Sequence, residues 1–181
     1  MAATTHLVTV EEFQKLADDG GPVYHELRHG EVVAVVRPKL KHGRIQIHVR
    51  DLIHGMAPTG SYVSIEVPFR ALPEHEFRVA DIAYVSPERM AAADDEDNIR
   101  GAPDLVIEVL SPSNTASEMY EREQLCLENG SKEFWVLDPR RRFVRVATSD
   151  GRIHVYRSGE LAPLPLFSGA TIAVDAIFDC R

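Results

Sequence analysis

Cysteine is scarce in this chain: 181 residues hold two, Cys126 and Cys180, without a C-x-x-C spacing. That excludes a disulfide framework and leads us to expect a reduced, cytoplasmic protein. Long apolar runs are missing as well. None approaches the roughly 20 residues a membrane helix needs, so no membrane partner is expected. The opening MAATTHLVTVEEF has neither the basic start nor the apolar core of a secretory signal. Internal repeats, low-complexity tracts and linkers are also lacking, which leads to the expectation of a single domain over residues 1–181. Positive charge is in deficit, with 20 Lys and Arg against 28 Asp and Glu, for a net charge of −8. A general electrostatic attraction to nucleic acid is therefore not expected.

Cations are nevertheless unevenly spread. Residues 37–50, RPKLKHGRIQIHVR, contain Arg37, Lys39, Lys41, Arg44 and Arg50 and no acid, and RRRFVR at 140–145 adds four arginines. By themselves such stretches read as solvated faces and turns.

Two capping boxes punctuate the chain. Thr9 with Glu12 opens a short helix expected to stop at Asp18-Asp19-Gly20-Gly21, and Thr115 with Glu118 opens a helix that runs to Asn129-Gly130. VYHELR and EVVAVV flank His29-Gly30 as a hairpin. Apolar residues at helical spacing mark a helix over about 42–57. YVSIEVPFRAL and FRVADIAYV alternate as strands, and Ser86-Pro87-Glu88 starts a short helix. EFWVLD, RFVRVAT and RIHVYR are further strands, the last two joined at Asp150-Gly151, and a short strand lies near TIAV. The fold class is α/β or mixed α+β: a central mixed sheet flanked by a few helices.

Within this pattern two acids stand out. APDLVIEVLSPS at 102–113 reads as a strand buried on both faces, yet Glu108 sits at its centre. In FRVADIAYV, Asp81 interrupts Phe77, Val79, Ala83 and Val85, with which it shares a face. A buried carboxylate must be neutralised, paired or metal-bound. On neighbouring strands the two would need a shared proton or a divalent cation, and hard oxygen donors suit Mg²⁺. The plainer reading pairs each acid with a buried arginine or a backbone amide. Glu26 and Glu66 are further acids in strands, each more simply read as a solvated or edge-strand carboxylate. Arg122 shares a helical stripe with Met119, Leu125 and Cys126, from which it either reaches inward or snorkels to solvent.

TVEEF, YHELRHGEV, RPKLKHGRI, EVPFR, RVADIAYVSPER and above all GAPDLVIEVLSPSN…REQLCLENGSKEFWVLDP follow one another in an order that resembles the Uma-type restriction endonucleases, a branch of the PD-(D/E)XK nuclease superfamily. The resemblance implies a restriction-endonuclease-like central mixed sheet with extra N- and C-terminal strands. It also implies metal-dependent hydrolysis of DNA phosphodiester bonds with Mg²⁺ or Mn²⁺ as cofactor. By this resemblance the catalytic residues are Asp81, Glu108, Arg122 and Glu26, and the metal is held by Asp81, Glu108 and the Val109 carbonyl. Lys39, Lys41, His42 and Arg44 would meet the nucleic acid. Pro103-Asp104 imitates the "PD" of the motif but lies at the start of the Glu108 strand itself. The motif lysine is absent, because Leu110 occupies its position and Arg122 matches the family's migrated lysine. Arginine keeps the charge but cannot act as a base. The alternative is a catalytically degenerate nuclease fold serving as a nucleic-acid-binding or assembly module, and a homodimer stays open. A histidine-based metal hydrolase is a further alternative, although His42, His48 and His54 step by about 240° and scatter around a helix.

Overall fold

The computed structural model describes residues 6–16, 20–112 and 114–180. The first capping box forms, with Thr9 N–H donating to Glu12 Oε2 at 2.9 Å and Glu12 N–H to Thr9 Oγ1 at 3.2 Å. Its helix, α1 (Val10–Phe13), is shorter than the sequence suggests. Val10 and Phe13 bury against Leu27, whereas Leu16 is exposed, so no apolar contact extends the helix. The expected stop at Asp18-Asp19 lies outside the described residues.

Strands β1 (Val23–Arg28) and β2 (Glu31–Val36) pair as the expected antiparallel hairpin. Both turn residues, His29 and Gly30, have positive φ, 49° and 77°, as a two-residue turn that matches strand twist requires. A Cβ on Gly30 would also come within 2.7 Å of Leu7 Cβ. Helix α2 (Leu40–His54) follows, then the long hairpin of β3 (Tyr62–Leu72) and β4 (Glu76–Val85). Next come α3 (Pro87–Ala91), β5 (Ile99–Arg100), β6 (Leu105–Val109), α4 (Ala116–Glu128) and β7 (Glu133–Asp138). Strands β8 (Phe143–Thr148) and β9 (Ile153–Arg157) complete a meander, and β10 (Leu161–Leu164), β11 (Ala170–Ala173) and α5 (Val174–Phe178) close the chain. The strand β5, only two residues long, β10, which carries Pro163, and α5 leave no periodic pattern for a sequence reading to find.

Among the described residues nine strands form one mixed sheet in the order β2-β1-β4-β6-β7-β8-β9, with β3 on β4 and β5 on β3. The pairs β6–β7 and β3–β5 are parallel, and the others are antiparallel. The apolar run around Glu108 is covered on both faces, as its composition requires. Leu105, Ile107 and Val109 pack with Ile45, Val49 and Ile53 of α2 and Val174 and Ile177 of α5. Val106 packs with Leu125 and Cys126 of α4 on the other side. Helix α4 ends before Gly130 (φ 122°), where a Cβ would lie 3.2 Å from the Ala102 carbonyl.

The sheet is not closed everywhere. Strand β4 pairs with β1 only at Phe77, opposite Leu27, and with β6 only over Ile82–Tyr84, opposite Leu105–Ile107. Between these contacts β1 and β6 part like a fork, leaving the backbone of residues 78–81 without a strand on that edge. Buried backbone polar groups need partners, and side chains must supply them here.

Asp104, of the imitation "PD", has a structural task. It is buried, accepts the Ser86 amide at 2.9 Å and lies 3.2 Å from Lys132 Nζ, tying the start of β6 to α3 and to the α4–β7 corner. Asp104→Ala is expected to lower stability by about 1–3 kcal/mol in urea unfolding, through an unsatisfied buried amide, while leaving divalent-cation binding unchanged. Loss of cation binding by the folded variant would contradict the structural assignment.

Candidate functional site

At the fork, polar side chains replace the missing ladder. Glu26, fully buried on β1, accepts the Val79 N–H at 2.9 Å. Arg122 of α4 donates to the Val79 carbonyl at 2.8 Å, to both Glu26 oxygens at 2.7 Å and to Glu108 Oε1 at 3.1 Å. One planar guanidinium thus spans β1, β4 and β6, a task suited to arginine's fixed fork of donors. Of the two orientations open to Arg122 from sequence, the inward one is adopted. Arg28 adds a second cation to Glu26 at 2.8 Å.

One residue further along β4, the acids line up. The register Ile82–Ile107 carries Asp81 opposite Glu108, and the pairs Ile65–Ile82 and Val67–Ala80 place Glu66 opposite Asp81. Glu66, Asp81 and Glu108 therefore occupy one row across three strands. The ladder breaks at this row: Glu66 has φ 50°, and the Val109 N–H donates to Asp81 Oδ2 at 2.7 Å instead of to a strand. Strand β3 also changes layers here. Val63 packs on the α2 side, whereas Val67 and Phe69 pack on the α4 side.

The row is gripped from both layers. From α2, the buried Gln46 side-chain amide donates to Asp81 Oδ1 at 2.9 Å and to Glu66 Oε1, and His42 Nε2 lies 3.1 Å from Asp81 Oδ2. From α4, Arg122 holds Glu108. The two acids are therefore held from opposite helices, Asp81 from α2 and Glu108 from α4. Among the described residues, no group of three or more His, Cys, Asp or Glu side chains is arranged to hold a metal ion.

Charge crowding sets the proton affinities. Burial, with Asp81 and Glu26 nearby, pushes the Glu108 carboxyl up to about 8 despite Arg122. Burial likewise raises Glu66, against the hydrogen bond from Gln46. For Glu26 burial acts upward too, but Arg122, the Val79 amide and Arg28 outweigh it and hold the carboxyl below its usual value. Burial disfavours protonated His42, yet Asp81, Glu66 and Glu108 prevail and raise its pKa.

The family model for Uma2, described as "Putative restriction endonuclease", matches residues 10–175. This chain belongs to the Uma2 family. Among solved structures, a crystal structure titled as that of a "putative nuclease belonging to DUF820" from Anabaena variabilis ATCC 29413 superimposes with a TM-score of 0.79 at 23% identity. The match covers 94% of this chain and 97% of that one, so the two share a fold. No curated protein matches this chain.

Of the Uma2 residues anticipated from sequence, the fold brings Glu26, Asp81, Glu108, Val109 and Arg122 together. His42 separates from the other cations of its stretch: it faces Asp81, while Lys39, Lys41 and Arg44 are exposed. The solvated reading of Glu66 is corrected, because Glu66 is half-buried and held by Gln46. Gln46 itself escapes a sequence reading, its one signal being the helical i, i+4 step from His42. The second arginine stretch is mostly paired within the fold, Arg142 with Asp175 and Asp179 and Arg145 with Glu123. HELRH at 25–29 spells H-E-x-x-H, the zinc motif of helical metalloproteases. Here it lies on β1 and its turn, with Glu26 buried while His25 and His29 are exposed, so it presents no helical ligand face.

Two outcomes follow for the metal-free protein. The native state keeps a proton on Glu108 between its unfolded value near 4.5 and about 8. Stability should therefore fall as pH rises through this window, and Glu108→Gln should remove that slope. Parallel pH profiles of wild type and variant in denaturant titrations would refute the assignment. Arg122→Ala should cost about 3–5 kcal/mol, more than Glu108→Gln, because it strands the ionised Glu26 in the core.

Proposed function

We propose that this Uma2 protein is a metal-dependent nuclease that hydrolyses phosphodiester bonds in DNA, with Asp81 and Glu108 as its central catalytic acids. The observation that carries this reading is the row Glu66–Asp81–Glu108, three carboxylates on consecutive strands at the point where the ladder opens. The donor chemistry fits a hard divalent cation. Burial pushes two of the three carboxyls up, and a cation at the row would relieve both. Asp81, Glu108 and the Val109 carbonyl would hold Mg²⁺ or Mn²⁺, oxygen ligands of the kind these ions take. When bound, the ion would lower the pKa of a water and offset charge developing on the phosphate.

The remaining residues position this set. Gln46 and the Val109 amide fix the orientation of Asp81. Arg122 holds Glu108, and Glu26 holds Arg122. His42, beside Asp81, can donate a proton toward the site. Arg122, engaged with three acceptors, is a positioning residue in this reading. That engagement also favours a second reading, a nucleic-acid-binding module that has lost its free catalytic cation.

Calorimetric titration with Mg²⁺ and with Mn²⁺ should show binding that Asp81→Asn weakens by at least about tenfold, or about 1.4 kcal/mol. Incubation with single- and double-stranded DNA should give cleavage that requires the metal and is lost in Asp81→Asn. Binding without cleavage would establish the module reading, and no binding by wild type would overturn the nuclease reading.

A further inference from the structure

An acidic protein has carboxylates to spare, and buried or half-buried arginines such as Arg28, Arg78 and Arg145 take them. Exposed Lys15, Arg140 and Arg157 have no such ion pair among the described residues, and three further exceptions lie together. Among the described residues, Lys39, Lys41 and Arg44 have no acidic partner, and all three lie in or beside the first turns of α2. Lys41 and Arg44 line a cleft of about 330 Å³ whose floor and walls include Ile45, Pro139, Phe178 and Arg142. Arg142 is fixed in that wall: its guanidinium lies 2.8 Å from Asp179 and 3.3 Å from Asp175, and 5.7 Å over the Phe178 ring. Asp175 and Asp179 together outweigh Arg142 by one charge, so with Lys41 and Arg44 the cleft keeps a net charge of +1.

The position of the cleft gives this charge a use. Pro139 directly follows β7, whose Leu137 pairs with Val109, so the cleft opens at the same end of the sheet as the acid row. Lys41 and Arg44 stand on the flanks of α2 turned away from His42, by about 100° and 200° at 3.6 residues per turn. The helix with its side chains is about 10 Å across. A strand of nucleic acid rises about 3.4 Å per nucleotide.

We infer that the cleft between α2 and α5 binds a backbone phosphate of the nucleic-acid strand, about three nucleotides from the phosphate at the Asp81–Glu108 row. Lys41 and Arg44 neutralise it, and the clamped Arg142 shapes the wall. The spacing rests on the nuclease reading, whereas the phosphate site itself does not. The cleft also explains how a chain of net charge −8 holds a polyanion: the attraction is local, beside the site, and the acidic remainder disfavours binding elsewhere.

The test is fluorescence anisotropy of labelled single-stranded and duplex oligonucleotides across a potassium chloride series, with chelator present so that cleavage plays no part. Each neutralised phosphate adds about 0.7 to the salt slope on a single strand and about 0.9 on a duplex. Lys41→Gln with Arg44→Gln should therefore reduce the slope by about 0.7 or about 0.9, respectively. Arg152→Gln, on the exposed β8–β9 turn, should leave it unchanged. An unchanged slope in the double variant, an equal loss in Arg152→Gln, or displacement of the oligonucleotide by polyglutamate at equal charge would each overturn the proposal. The nuclease reading fails differently, by wild type that binds DNA with its full slope yet cleaves none with Mg²⁺ or Mn²⁺.

Discussion

Strand β4 has too few partners on one edge, and the contact that meets this deficit is the Arg122–Glu26 pair. Where β1 and β6 diverge, Val79 keeps both polar backbone groups pointing into a dry fork; Glu26 takes the N–H and Arg122 supplies the carbonyl's donor. Because the same guanidinium reaches Glu108, the joint that holds the β1–β2 hairpin to the sheet also holds the acid at the centre of the site. A lysine ammonium could neutralise one of these carboxylates but lacks the planar geometry that serves Glu26 bidentately while reaching Val79 and Glu108. Position 122 thus carries a structural duty that spans three strands.

The electrostatics follow from the same crossing. Four acids, Glu26, Glu66, Asp81 and Glu108, meet in a small volume, and the cations nearest them belong to Glu26. Glu26 accordingly stays ionised, while buried Glu108, which shares its guanidinium with Glu26, and half-buried Glu66 are driven toward their neutral forms. The uneven sharing of positive charge separates an acid that serves as a structural counterion from acids available to a cation.

Much of the fold was legible because its signals are local. Two capping boxes, the His29-Gly30 turn, the alternation of β3 and β4 and the apolar runs of β6 and β7 each depend on residues a few positions apart. The candidate acids were legible for a related reason. A carboxylate inside an apolar strand contradicts its surroundings, which singled out Asp81 and Glu108 without knowledge of any partner. Glu66 and Gln46 carry no such contradiction. Glu66 sits on an alternating strand where a polar residue is ordinary, and Gln46 on an amphipathic helix whose moment does not say what it faces.

Helix starts and turns, the two-sided burial of β6 and the presence of two anomalous acids were determined by the amino-acid sequence alone, since near-neighbour sterics and hydrophobic period suffice for each. Only the tertiary structure decided that Glu66 joins the row, that His42 leaves the basic group for Asp81, that Asp104 is an anchor and that Arg122 is spent within the fold. Each of these turns on strand register, on the left-handed break at Glu66 or on the distance between α2 and α4, and such non-local relations are set by the packing of elements far apart in the chain.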